Sequence, residues 1–349
     1  MSGASGAIAH ERVEIARGPR SGLTMIVALH SSRLGPALGG CRLWHYPSWR
    51  EALDDALRLS EGMTAKNALA DIGSGGGKAV IRLEPGDTLD GERRRDAFLD
   101  LAELVARFDG RYITAEDVGT SSRDMAVIHE VTPHVVGLPT ETGGVGDPGA
   151  FTARGVEHAI LATLRRLGPG GVAGTRFAIA GLGQVGGALA RTLAAAGAEL
   201  VVTDVNEARR ELAVELGAIW VEPDAVHRER VDVLVPAGVG GMLTPEVVEA
   251  LDCRAIVGPA NNQLAEPGAD ARLAERGILY APDFVVNAGG VIHLAARNAG
   301  EAERSVLARI DRIGETLERI FEVAERDATT PLQAAETIVA ELLAAGPRS

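Results

Sequence analysis

Of the 35 Lys and Arg residues in this chain only Lys66 and Lys78 are lysine. A guanidinium cannot release its proton inside a protein, whereas an ammonium can, so a chain that uses arginine almost everywhere keeps lysine where a removable proton is useful. The two stand twelve residues apart in one glycine-rich neighbourhood, GMTAKNALADIGSGGGKAV. Read blandly they are accidental surface lysines; read chemically, lysines made reactive by burial are a known route to catalysis. The run GSGGGK superficially matches a phosphate-binding loop, but GxxxxGK[ST] needs a glycine six places before the lysine and a hydroxyl after it. Those places hold Ile72 and Ala79, and Lys78 opens the apolar stretch KAVIRL, which reads as a strand. Nucleotide triphosphate hydrolysis is therefore not the expected chemistry.

A second constellation lies at Gly181, Leu182, Gly183, Gln184, Val185 and Gly186, which spell GLGQVG directly after the apolar FAIA and before a helical pattern. The hexapeptide alone is a weak signal in a chain with 43 glycines. Its context strengthens it, because the next apolar strand, ELVVT, ends at Asp204, 18 residues past the last motif glycine. In a dinucleotide-binding unit the first glycine makes the tight turn, the second lets amides approach a pyrophosphate, and an acidic residue at this spacing accepts from the adenine ribose. Val205 and Asn206 follow Asp204, so a 2′-phosphate would meet a carboxylate without a counter-charge, which favours NAD over NADP. Asn261, Asn262 and Asn287 close apolar stretches further on, and their amides can both donate and accept, as a nicotinamide carboxamide or a ribose requires. Loop asparagines bonding their own backbone are the plainer reading.

Beside a nicotinamide, a charged lysine can hold a substrate carboxylate, and a second lysine crowded by it can serve as a general base. Asp117, at the end of RYITAED, is the natural partner for a substrate ammonium. The three residue types together describe oxidation of an amino acid at its α-carbon.

The elements that must position these groups are legible in part. ERVEIARG and LTMIVALHS read as a hairpin broken at Gly18-Pro19, and LGPALGGCR reads as a glycine-rich loop. Ser48 caps a helix over residues 48–69 that carries Lys66 near its end, and a helix over residues 92–108 precedes the RYITA strand. GLPTETGGVGDPG, residues 137–149, is the expected connector. Beyond it a helix capped by Thr152 leads to RFAIAG, a helix from Val185, ELVVTD, a further helix, and strands at VDVLVPAG, RAIVGPANN and ILYAPDFVVNAGG. Alternating strands and helices imply a doubly wound, Rossmann-type parallel sheet. Helices over residues 302–326 and 331–345 finish the chain. The expectation is α/β in two domains: residues 1–145, binding substrate and making the oligomer contacts, and residues 146–327, binding NAD, with a last helix at 328–349 folding back on the first.

A formal charge of −13 argues against nucleic acid or an anionic membrane, since the phosphate backbone demands a basic face. Cys41 and Cys253 have neither disulfide-framework nor zinc spacing, and no metal is implied. The opening MSGASGAIAHERVE has no targeting pattern and no apolar run reaches the length of a spanning helix, so a cytoplasmic protein is expected.

GPALGGCR, GMTAKNALADIGSGGGKAVI, YITAEDVGTSSRDM, GLGQVG, GPANNQL and APDFVVNAGGVIHLA resemble, in order and spacing, the signature blocks of the Glu/Leu/Phe/Val dehydrogenases, in the leucine, valine and phenylalanine branch. The resemblance implies a two-domain enzyme with its active site in the cleft, reversibly deaminating an L-amino acid to a 2-oxo acid and ammonia with NAD. By motif position Lys66 would bind the substrate carboxylate with Asn262 and the Gly39 and Gly40 backbone. Lys78 would activate the water that attacks the imine, and Asp117 would bind the amino group and shuttle its protons. Ala260, Asn261 and Asn287 would line the nicotinamide end, Gly238 and Val239 would lie beside the cofactor, and Arg42 and Ser121 would be cofactor or cleft contacts. Leu38, Ala115, Val136, Val291 and Leu294 would line an uncharged side-chain pocket, so hydrophobic substrates are expected. AEDVGT and NNQL resemble the leucine and valine enzymes, while IHLAAR and GGVGDPGAF lean towards the phenylalanine enzymes. A homo-oligomer, at least a dimer, is implied. Two other readings stand beside this one: a catalytically idle dinucleotide-binding sensor of the same fold, and a hydroxy-acid or imine reductase with a histidine or tyrosine acid.

Overall fold

The computed structural model describes residues 9–347 apart from 143 and 169. The opening MSGASGAI, where no targeting pattern was found, lies outside the described residues, as does position 143 of the connector. The chain divides into two compact units, one reaching Gly146 and taking in Glu341 onward, the other spanning Asp147–Ala340. Among the described residues no helix is long and apolar enough to cross a membrane.

Unit 1 is built on strands β1 (Arg12–Arg17), β2 (Thr24–Ser31), β3 (Ala37–His45), β4 (Gly75–Leu83) and β5 (Tyr112–Glu116), with helices α1 (Trp49–Leu69), α2 (Gly91–Ala106) and α3 (Ser122–His129). The sheet order is β1-β2-β4-β3-β5. The β1/β2 hairpin and β2/β4 are antiparallel, whereas β3 pairs in parallel with both β4 and β5. Residues of TMIVAL alternate between two buried faces, Met25, Val27 and Leu29 packing with Phe98, Leu101 and Val105 of α2 while Ile26 and Ala28 pack with Ala52 and Ala56 of α1. That double burial explains why β2 reads as a continuous apolar run. Ser48 caps α1 as expected, its hydroxyl accepting from Glu51 N.

Two sequence expectations fail here. LGPALGGCR is not a loop but supplies β3, and Lys78 does not open its strand, because β4 begins three residues earlier at Gly75. The glycines are strand residues forced by close packing. A Cβ at Gly39 would fall 1.7 Å from Gly77 O, one at Gly75 1.9 Å from Ser31 O, and one at Gly76 2.1 Å from Thr64 N of α1. Helix and strands thus approach to distances only glycine permits.

Unit 2 starts with α4 (Gly149–Leu167), whose N-cap is Pro148 where Thr152 was expected, followed by β6 (Arg176–Ala180), α5 (Gln184–Ala195), β7 (Glu199–Thr203), α6 (Arg210–Glu215), β8 (Ile219–Trp220), β9 (Val233–Pro236), α7 (Pro245–Ala250), β10 (Ala255–Ile256), α8 (Ala269–Glu275) and β11 (Leu279–Tyr280). The order is β11-β10-β9-β6-β7-β8, every pair parallel. The first strand therefore sits at the centre with the next two on one side and the last three on the other, the doubly wound order whose switch point lies between β6 and β9. The remainder of the chain is helical: α9 (Asp283–Val286), α10 (Gly289–Asn298), α11 (Glu303–Asp311), α12 (Ile313–Asp327) and α13 (Pro331–Ala345), the last of which is counted with unit 1 from Glu341 onward. FVVNAGG, expected within a strand, forms α9 and the start of α10, and the helix expected over 302–326 is two, α11 and α12.

Candidate active site

In unit 1 the two lysines come to one face of the sheet. Lys78, only 4% exposed, shares its strand face with Gly76, which abuts Thr64 of α1, and with Val80, which packs on Ala52 and Ala56 of α1. Lys66 lies on that same helix, in its last turn. Lys78 Nζ stands 2.9 Å from Asp117 Oδ2. The Nε of Arg42 donates to the same oxygen at 3.1 Å. Burial opposes ionisation of Asp117, but the Lys78 ammonium and the Arg42 guanidinium outweigh it and hold the carboxyl below the usual carboxylate range.

The surrounding backbone makes this placement rigid. Asp117 follows β5 in a turn pinned by Thr120, whose hydroxyl accepts from Asp117 N at 2.8 Å and donates to Cys41 O at 3.0 Å. A Cβ at Gly40 would stand 2.7 Å from Asp117 Cβ, so the glycine leaves room for the carboxylate to lean towards Lys78. Gly39 O accepts from Tyr112 Oη at 2.7 Å. Leu38 and Ala115 are buried and Val136 is half-buried, its N–H donating to Thr114 O at 2.9 Å. Arg42 engages Asp117 and, through Nη1 at 3.0 Å, Asp55 of α1. Ser121 caps α3, its hydroxyl bonded to Asp124 Oδ2 at 2.8 Å. Cys41 is fully buried, and burial pushes its thiol well up.

Sequence reasoning missed several of the supports. Asn67, next to Lys66, donates to Leu38 O at 3.0 Å and Gly75 O at 2.6 Å, sewing the end of α1 to β3 and β4. Asp55 and Tyr46, joined at 2.6 Å, brace Arg42 from outside. A buried asparagine beside a singled-out lysine was the available signal for the first. Nothing local marks the second, since its members are brought together only when α1 packs on the sheet.

In unit 2 the glycine turn joins β6 to α5. Gly181 has φ +112°, and a Cβ at Gly186 would sit 2.1 Å from Gly181 O, so both glycines are obligatory. Gly183 faces open space, and no side chain caps α5. Gln184 and Gly183 are exposed, Val185 is half-buried and Leu182 is buried. The first amides of this helix are thereby left pointing outward, as a pyrophosphate needs. Asp204 lies just past β7 at the same edge, accepting from Leu182 N at 2.7 Å and Asn206 N at 2.8 Å. Val205 and Val239 are 90% and 83% exposed, apolar side chains left uncovered after β7 and β9, with Gly238 exposed beside Val239.

Further along the same sheet edge, Asn287 Nδ2 donates to Asn261 Oδ1 at 2.8 Å and Pro259 O at 3.1 Å, while the buried Asn287 Oδ1 has no hydrogen-bond partner. A buried acceptor without a donor is costly, and a carboxamide N–H would satisfy it. Gln263, fully buried, donates to Gly258 O at 2.7 Å and Ala260 O at 3.0 Å, which fixes the loop carrying Ala260, Asn261 and Asn262. Asn262 is exposed with φ +52°. Val291 and Leu294 lie on α10, the first half-buried, the second buried. The donor set, the uncapped helix and the orphaned amide oxygen fit a dinucleotide.

A doubly wound sheet with that edge marks unit 2 as the dinucleotide-binding part of an oxidoreductase, and unit 1 supplies a buried lysine–carboxylate pair suited to proton transfer. Family models narrow the class: residues 8–134 match the dimerisation domain of the Glu/Leu/Phe/Val dehydrogenases and residues 202–341 the glutamate/leucine/phenylalanine/valine dehydrogenase model. The chain is 39% identical over 334 residues to leucine dehydrogenase from Thermoactinomyces intermedius, covering 95% of this chain and 90% of that one. It is 40% identical over 333 residues to phenylalanine dehydrogenase from Lysinibacillus sphaericus, covering 93% and 86%. L-tryptophan dehydrogenase from Nostoc punctiforme superposes with a TM-score of 0.83 at 34% identity, covering 97% of this chain and 98% of that one. The chain belongs to the Glu/Leu/Phe/Val dehydrogenase family. It is an NAD-dependent amino acid dehydrogenase, and the reading as an idle sensor finds no support in these relatives.

Proposed function

We propose that this chain catalyses the reversible oxidative deamination of a hydrophobic L-amino acid of the Phe, Leu or Val type, and that Lys78 and Asp117 handle its protons. The observation that carries the reading is the buried Lys78 Nζ set 2.9 Å from Asp117 Oδ2. NAD, when bound by the unit 2 residues, would supply the acceptor for the hydride of the substrate's α-carbon. Lys66 and the Gly39 and Gly40 backbone of unit 1 hold the substrate carboxylate. Asp117 receives the substrate's ammonium and takes a proton from it, so that the nitrogen lone pair can form the imine as the hydride leaves. Lys78, once it has passed its own proton to solvent and stands as the neutral amine, removes a proton from water as the oxygen adds to the imine carbon. Asp117 returns its proton to nitrogen, and the C–N bond breaks with its electrons leaving on ammonia while the hydroxyl proton passes to solvent, which forms the carbonyl of the 2-oxo acid. The dinucleotide is held by the Gly181 to Gly186 turn, Asp204, Val205, Gly238 and Val239, with Ala260, Asn261 and Asn287 at the nicotinamide.

The side chains assigned to the substrate's R group, Leu38, Ala115, Val136, Val291 and Leu294, are all uncharged. A glutamate side chain buried among such groups without a partner costs several kcal/mol, whereas a methylene more or less costs about 1–3 kcal/mol, so aliphatic and aromatic substrates overlap. We further read residues 1–145 as the substrate and oligomerisation domain, residues 146–327 as the NAD domain, and the working form as a cytoplasmic homo-oligomer, at least a dimer, with neither nucleic acid nor membrane as partner. The test is to incubate the purified protein with NAD and a panel of L-amino acids while following reduced nicotinamide. Turnover with hydrophobic members and little with glutamate is the expected result; no reduction with any hydrophobic amino acid overturns the reading.

A further inference from the structure

Both cations beside Asp117 engage one of its two oxygens. Lys78 Nζ and Arg42 Nε lie 2.9 and 3.1 Å from Oδ2. An arginine fork ordinarily closes on a carboxylate with two parallel hydrogen bonds, and Arg42 does not do so here. The arm parallel to Nε, Nη2, makes no hydrogen bond to Asp117, and the third nitrogen, Nη1, is held 3.0 Å from Asp55 Oδ2 on α1, which sets the tilt of the group. Asp55 is in turn fixed by Tyr46 Oη at 2.6 Å on Oδ2 and by Arg58 Nη2 at 2.6 Å on Oδ1. The Asp55 and Arg42 side chains are only 16% and 18% exposed, so solvent does not dissolve this arrangement.

We propose that Asp55 is a positioning residue for the reaction: by anchoring Arg42 through Nη1 it fixes the tilt of the guanidinium, so that Nη2 does not close on Asp117 beside Nε, and keeps Asp117 Oδ1 open for the substrate's ammonium. The inference rests on the reading of Asp117 as the group that receives the amino nitrogen. Its chemical logic is that Asp117 must be anionic enough to bind an ammonium and basic enough to accept its proton. A guanidinium closed over both oxygens would defeat the second requirement while filling the place of the substrate. The titratable and charged groups that bear on Asp117 are Lys78 on β4, Arg42 and Cys41 on β3 and Tyr112 on β5, with Asp124 and Arg94 beyond Cys41 and Asp55, Arg58 and Tyr46 beyond Arg42. Of these, Asp55 is the anion that competes with Asp117 for Arg42, since burial opposes the Arg42 charge while Asp117 and Asp55 both support it.

The experiment is Asp55→Asn in the full chain, with Asp54→Asn, an exposed neighbour on the same helix, as reference. Two readouts are taken: the carboxyl titration of Asp117 by carbon NMR in the protein without substrate or NAD, assigned with Asp117→Asn, and the KM for the preferred amino acid across pH. In Asp55→Asn the fork closes, so the Asp117 titration and the acid limb of kcat/KM both move to lower pH and the KM rises at least about fivefold, with NAD affinity unchanged. Asp54→Asn matches the parent in each. A fall in Tm with the Asp117 titration and KM superimposed on the parent would make Asp55 a structural anchor only and overturn the proposal. Asp55→Glu, which keeps the anion, should hold both readouts within about twofold of the parent; equal loss in Asp55→Glu and Asp55→Asn overturns it too. A parent that deaminates no amino acid refutes the proposed function instead, and the titration, which needs no turnover, still decides the role of Asp55.

Discussion

In unit 1 the chemistry is carried by side-chain charge sunk into the sheet: Lys78 and Asp117 have side chains 5% and 23% exposed and lie 2.9 Å apart. In unit 2 it is carried by main chain left open at the sheet's edge, where Gly183 and the uncapped start of α5 face outward. The reason lies in what each half must do. A proton-handling pair gains from burial, which strengthens each electrostatic contact and makes protonation responsive to its neighbours. A pyrophosphate brings its own charge and needs only oriented amides and a helix terminus, with no buried ion and hence no desolvation cost. Glycine serves both halves in different ways. In unit 1 it lets strands and α1 come close enough to bury the pair; in unit 2 it makes a turn and clears a surface.

The largest test of the contrast is Lys78→Arg. Positive charge is retained but the removable proton is not, so turnover should fall by about 10²–10⁴-fold, the worth of a general base. NAD affinity, which depends on unit 2, should stay within about twofold. Activity near the parent's would place the proton chemistry elsewhere and dissolve the distinction between the two units. The next test separates the two uses of glycine within one motif. Gly186→Ala puts a Cβ 2.1 Å from Gly181 O and should both abolish NAD binding and cost about 1–3 kcal/mol or more of stability, seen as a lower Tm. Gly183→Ala meets no atom within 4 Å. It should weaken NAD binding by calorimetry while leaving Tm unchanged, and a matching fall in Tm would mean that this glycine, too, is there for the fold.

The pattern of what was legible in the sequence follows the same contrast. Lys66 and Lys78 stood out because lysine is otherwise absent, and GLGQVG because a turn between strand and helix is local and its glycines sit at fixed offsets. The doubly wound order could be expected from alternating strands and helices. β3 was hidden because ALGGCR carries two glycines in a row, a loop signal unless one knows that Gly77 O and the Asp117 side chain press on them. α10 was hidden for a related reason: NAGG reads as the end of the strand ILYAPDFVVNAGG, yet a Cβ at Gly289 would fall 2.2 Å from Phe151 O and one at Gly290 2.8 Å from Thr152 Oγ1, so these glycines start a helix in close approach to α4. The Arg42–Asp55–Tyr46 brace was invisible for a different reason. Its members are 13 and 9 positions apart and belong to no single periodicity; only the seating of α1 on β3 and β4 creates it.

The smallest effect concerns stability and pH, and it follows from burial in unit 1 alone. The Asp117 carboxyl is held below its unfolded value by Lys78 and Arg42 against the opposing effect of burial. The folded state therefore keeps Asp117 ionised where the unfolded chain already binds a proton. The stabilisation is fully present above the unfolded carboxyl value of about 3.9 and is lost as pH falls through the lower folded value. Asp117→Asn leaves Lys78 and Arg42 facing a neutral amide at every pH. Parent and variant should thus differ most in urea midpoint near neutrality, the gap narrowing as pH falls below about 3.9 and closing at the lower pH where the folded parent's own carboxyl protonates. Other carboxylates titrate alike in both proteins and largely cancel in the difference. A gap that stays constant from neutral to acid would mean that the lost shape of Asp117, and not its charge, is what the fold had relied on. No such pH-dependent gap is expected for Gly183→Ala, because nothing ionisable is buried at the glycine turn of unit 2.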